Sequence, residues 1–170
     1  MTHVSALTQS NEHHLASVTT SRLATGKENA MLTSKINEVA LRAEPYLFSA
    51  LRMVAGAMFA FHGAQKLLGW HSQFMPPVGS QLWVGGIIEL VGGTLIALGL
   101  LTRPAAFLTA GQMAVAYFQF HWKFALAGGL WLPAINKGEL AALYCFVFLF
   151  IAAHGSGIAS LGARLRKQTS

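Results

Sequence analysis

Four apolar runs, at residues 46–69, 82–101, 105–127 and 140–158, each approach the length a helix needs to cross a bilayer, which is about 20 residues. Lipid offers no partner to backbone N–H and C=O groups, so such runs are restricted to helices whose hydrogen bonds close internally. Pro45, Pro76, Pro77, Pro104 and Pro133 all fall outside the runs or at their first residue. Pro45 and Pro104 suit a first helical position, where no donor is missed. Thr102, just ahead of Arg103-Pro104, is a candidate N-cap that would make the second and third helices a tight antiparallel pair. The predicted fold is all-α: a four-helix transmembrane bundle with helices over about 46–69, 82–101, 104–127 and 138–158.

The charges give this bundle a direction. Residues 1–44 balance four basic against four acidic side chains, while residues 45–170 hold eight basic and two acidic and so carry the whole formal charge of +6. The bases flank apolar runs instead of forming a patch, which argues for membrane topology and against nucleic acid. Lys27, Lys35, Arg42, Arg103, Arg164, Arg166 and Lys167 fall on one side of a four-pass layout, and Trp70, Trp83, Trp122 and Trp131 mark the opposite boundary. The positive-inside rule then places both termini in the cytoplasm. Residues 1–44 are polar, with no long apolar run. Disorder is expected over 1–30 and a short surface helix over 31–43. Residues 161–170 read as a basic cytoplasmic tail. Cys145 is the only cysteine, so neither an intrachain disulfide nor a multi-cysteine metal site is expected.

Glu89 stands alone within an apolar, glycine-rich run. An unpaired carboxylate is costly in hydrocarbon, so this one needs a partner, a proton or a task. Counting the helical rise places His62 about 10 Å, Lys66 about 5 Å and Glu89 about 10 Å below the outer helix ends. His121, Lys123, Lys137 and Glu139 fall in the same leaflet. His62, Gln65 and Lys66 share one face of the first helix by their i, i+3, i+4 spacing. Gly85, Gly86, Gly92 and Gly93 flank Glu89 and permit close backbone approach, which turns Glu89 into the bundle. Lys66 is its natural counter-charge. Glu89 and Lys66 are therefore the candidate proton-exchanging pair, with His62, Gln65, His121 and Glu139 as candidate ligand-binding residues. The plainer alternative is that the pair only holds helix register. Two histidines alone are a weak signal for haem or metal, and no metal site is assigned. Lys123 and Lys137 are expected to snorkel to the outer interface, and Arg52 to the inner one.

The stretch LRMVAGAMFAFHGAQKLLG at residues 51–69 resembles the first helix of the DoxX family of small bacterial membrane proteins. GGIIELVGGTLIALGLLTRPAA at 85–106 is similar to that family's second helix and basic turn, and AYFQFHW and NKGELAALY fit as well. The resemblance covers residues 46 to about 160, with His62, Gly63, Lys66, Glu89, Gly92, Gly93, Arg103, His121 and Glu139 at the matching positions. It implies a multi-pass protein of the bacterial plasma (inner) membrane, and a subunit of a quinone-linked or thiol- and sulfur-linked oxidoreductase. Residues 1–45 have no counterpart in the usual short member.

The chain itself carries no cysteine pair, haem-attachment motif or dinucleotide loop, so a redox role rests on the resemblance. A quinone is the ligand it implies, and a protein partner or a second copy of the chain is the implied assembly. Two other functions are compatible with the same residues. One is a small proton-coupled transporter, which would need oligomerisation. The other is a non-catalytic assembly or stress-response factor.

Overall fold

In the computed structural model the described residues are 2–126 and 129–168, with side chains described for 26–126, 129–165, 167 and 168. The described backbone is all-α: α1 (Thr2–Leu68), α2 (Gln81–Ile87), a π-helical segment π1 (Ile88–Gly92), α3 (Gly93–Leu98), α4 (Thr102–Ala116), a second π-helical segment π2 (Tyr117–Trp122), α5 (Pro133–Asn136), α6 (Glu139–His154) and α7 (Leu161–Gln168). Two compact units divide it, Met1–Glu44 and Pro45–Ser170.

In the first unit the backbone is helical where the sequence predicts disorder and then a short surface helix. Gly26 is its only glycine, and it holds no proline, so nothing interrupts helical propensity summed along it. An exposed Arg42–Glu38 pair at 2.6 Å adds i, i+4 support, worth about 0.3–0.5 kcal/mol. Pro45 lies inside α1 and not at its start. The hydrogen bond it forfeits is the one to the carbonyl of Leu41, an exposed residue.

In the second unit each apolar helix stops at a positive-φ residue, which ends the ladder earlier than hydropathy alone predicts. These are Gly69 (φ 67), Gly99 (φ 72), Lys123 (φ 54) and Gly155 (φ 99). The start of α2 is capped by Ser80, whose Oγ accepts from Trp83 N. Thr102 is not the cap expected of it. Leu101 takes the N-cap position, and the Thr102 hydroxyl is buried with no hydrogen-bond partner among the described residues. Among the described residues two helical stretches are long and apolar enough to cross a membrane, Gly26–Leu68 and Gln81–Leu98, whereas α6 is apolar but shorter at 16 residues.

Phe48, Phe59, Ile96, Ala106, Ala110, Phe148 and Ile151 form the core of this unit, with α4 packed on α6. Arg52 is buried with them and does not snorkel. Its Nη1 donates to Ile96 O (2.5 Å) and Ala97 O (2.8 Å), and its Nη2 donates to Ala159 O (2.5 Å). Ile96 and Ala97 belong to the last turn of α3, where the helix dipole favours a cation, and Ile96 O accepts from Gly99 N (3.1 Å) as well. Arg103 does the same for α6, donating to Ala152 O, Ala153 O and His154 O. Arg52→Lys keeps the charge but loses the planar fork. It is expected to cost about 1–2 kcal/mol, read as a lowered thermal midpoint in detergent.

Candidate functional site

Lys66 lies in the last turn of α1, and Glu89 in the first turn of π1. Their side chains meet at 2.5 Å between Nζ and Oε1, with the carboxylate 3% exposed and the lysine 30%. The approach depends on glycine. A Cβ added to Gly56 would sit 2.6 Å from Ala97 N, and one on Gly63 would sit 2.7 Å from Gly86 O and collide with Leu90 N. Backbone therefore packs on backbone from Gly56 to Gly63, which brings the two charges to one height.

Gln112 completes the cluster from α4. Its Nε2 donates to Glu89 Oε1 (3.0 Å) and to Gly85 O (3.0 Å). Both amide hydrogens are thereby used, which fixes the orientation of the amide. Gln112 is the only amide within the apolar stretch 105–118. That is the signal by which the sequence could have revealed it, since such groups hydrogen-bond across helices in lipid.

These residues line a cavity of about 470 Å³ whose wall also includes Phe59, His62, Gln81, Leu82, Met113, Phe120, His121, Lys137, Leu140 and Tyr144. The volume falls within the roughly 300–1,000 Å³ of small-molecule sites. Lys66, Glu89, His62 and His121, all singled out by sequence, reach the cavity together. Lys137 reaches it too, where the sequence reading sends it to the interface. Gln65 and Glu139 are not part of the wall. Gln65 Oε1 instead holds His62 Nδ1 at 3.1 Å, and Glu139 is exposed at the start of α6.

His121 belongs to π2, and its Nδ1 lies 3.3 Å from Asn136 O. Asn136 Nδ2 also donates to Tyr117 Oη (3.3 Å) and Leu130 O (2.8 Å), which ties π2 to the loop carrying Lys137. Both π segments thus carry a cavity residue. Such wide turns recur at functional sites because the extra residue redirects side chains. Periodicity at 3.6 residues gives no warning of them. Among the described residues no group of three or more His, Cys, Asp or Glu is placed to hold a metal ion.

An all-helical chain with a charged pair inside an apolar cavity fits the class of helical membrane proteins, and the comparisons with known proteins agree. The model of the DoxX family matches residues 47–122. An uncharacterized protein of Haemophilus influenzae is 40% identical over 128 residues, covering 73% of this chain and 94% of that protein. No solved structure matches. The chain belongs to the DoxX family of membrane proteins.

Proposed function

We propose that residues 45–160 span the bacterial inner membrane as a four-helix bundle with both termini cytoplasmic, and that the cavity binds a membrane-soluble quinone. The distribution of side chains supports the spanning reading. Phe107, Leu108, Leu143, Phe146 and Phe150 are exposed, while Arg52, Glu89, Thr102 and Thr109 are buried. An apolar exterior around polar interior groups suits lipid as the surrounding solvent.

The observation that carries the ligand reading is the cavity itself: a mostly apolar wall that contains the hydrogen-bonded cluster of Lys66, Glu89 and Gln112. Such a shape takes a flat ring bearing polar groups and leaves an isoprenoid tail to the lipid. Reducing a quinone to a quinol consumes two electrons and two protons. A separate redox protein supplies the electrons, which makes this chain the membrane subunit of a quinone-linked system. Lys66 and Glu89 are the proton-exchanging pair, His62 and His121 contact the ring, and Gln65 orients His62.

The test is saturable binding of a short-chain benzoquinone or its benzoquinol to the purified protein in nanodiscs. At least one redox form is expected to bind with one site per chain. Glu89→Gln is expected to weaken that form about tenfold, the worth of one hydrogen bond to a charged group. Absence of saturable binding by either form, or unchanged affinity in the variant, overturns the reading.

A further inference from the structure

The hydrogen-bonding atoms of the Lys66–Glu89–Gln112 cluster, which belongs to the cavity wall, are unevenly matched. Glu89 Oε2 and Gln112 Oε1 are both buried, and neither has a hydrogen-bond partner among the described residues. Glu89 as a whole is 2% exposed. Lys66 and Gln112 both donate to Glu89 Oε1, and the second oxygen of a carboxylate paired in this way can only accept. Gln112 spends both amide hydrogens on Gly85 O and Glu89 Oε1, so its Oε1 also only accepts.

The histidines add to the same side. Gln65 Oε1 faces His62 Nδ1, and Asn136 O faces His121 Nδ1. A carbonyl oxygen cannot donate, so a ring that hydrogen-bonds to it does so through Nδ1–H, and in that tautomer Nε2 is an acceptor. Lys66 retains hydrogens beyond the one given to Glu89. The best-matched occupant therefore donates to an acceptor and accepts from the ammonium with the same polar group. A hydroxyl does both, and a ketone oxygen does only the second.

We infer that the cavity selects a ring bearing phenolic hydroxyls, and so binds the quinol in preference to the quinone. This rests on the quinone-site reading above and assigns it a redox form. A buried acceptor left without a donor loses its solvation and gains nothing in return. A quinone carbonyl placed against Glu89 Oε2 adds acceptor–acceptor repulsion.

The experiment compares three probes on the purified wild-type protein in nanodiscs under anaerobic conditions: a short-chain benzoquinol, its benzoquinone, and the quinol dimethyl ether. The ether keeps the ring and both oxygens but has no hydroxyl hydrogen. The quinol is expected to bind at least tenfold more tightly than either of the others. In Gln112→Met and in Glu89→Gln that preference is expected to shrink to about threefold or less, with folding checked by circular dichroism. Two variants are used so that one folding failure does not remove the test. Equal or tighter binding of the quinone or the ether overturns the inference and leaves the quinone-site reading standing. Failure of all three probes to bind overturns both.

Discussion

Glu89→Ala is expected to destabilise the protein by about 3 kcal/mol, and Lys66→Met combined with Glu89→Leu is expected to restore most of that loss. Removing one partner of a buried pair leaves the other charge uncompensated, at a cost of about 3–5 kcal/mol. The lower end applies because Lys66 is 30% exposed and keeps some access to solvent. The single change also strips Gln112 Nε2 of one of its two acceptors. The double change removes both charges and refills the space with apolar side chains, which is often neutral in buried pairs. Thermal unfolding in detergent, followed by tryptophan fluorescence, reads both variants. A double variant less stable than Glu89→Ala would show that the pair contributes net attraction beyond its desolvation cost.

Gly63→Ala is expected to cost about 3 kcal/mol, the top of the range for inserting a methyl group into a packed interior. The reason is what the new Cβ meets. Gly86 O at 2.7 Å and the backbone nitrogen of Leu90 cannot rotate away as a side chain can. The helices must part, and Gly63 and Gly86 each lie three residues before a member of the ion pair. Lys66 and Glu89 would therefore separate, so ligand affinity is expected to fall along with the thermal midpoint. Gly111→Ala is the control, since a Cβ there meets nothing within 4 Å. It is expected to be neutral or stabilising by up to about 1 kcal/mol through helix propensity alone. Equal midpoints for the two variants would remove close backbone packing as the device that aligns the charges.

Hydropathy makes the apolar helices legible because each is long and bounded by proline or glycine. Their ends are less legible, since stopping depends on a positive φ at Gly69, Gly99, Lys123 and Gly155, and Lys123 carries no sequence mark of that conformation. Depth counting places Lys66 and Glu89 in the same leaflet, glycine spacing turns Glu89 into the bundle, and the structure has their side chains 2.5 Å apart. Local reasoning works here because one helix rise and one small-residue face decide the answer. It fails for Arg52, where the choice between snorkelling and burial depends on carbonyls in α3 and at Ala159. It fails again for Gln112, whose partners come from another helix, and for Glu139, whose outward direction is set by the start of α6.

The wide turn at Ile88–Gly92 has a consequence for how this chain is compared with others. Its backbone closes over five residues where an α-helix closes over four. One surplus residue rotates everything downstream by about 100°. Superposing a homologue that lacks the surplus, by plain residue counting, would match the face on which Gly93 packs against Gly56 and Ala60 with side chains pointing elsewhere. Correct equivalence beyond that point requires a one-position gap, and a graft of this helix into another scaffold must carry the insertion with it.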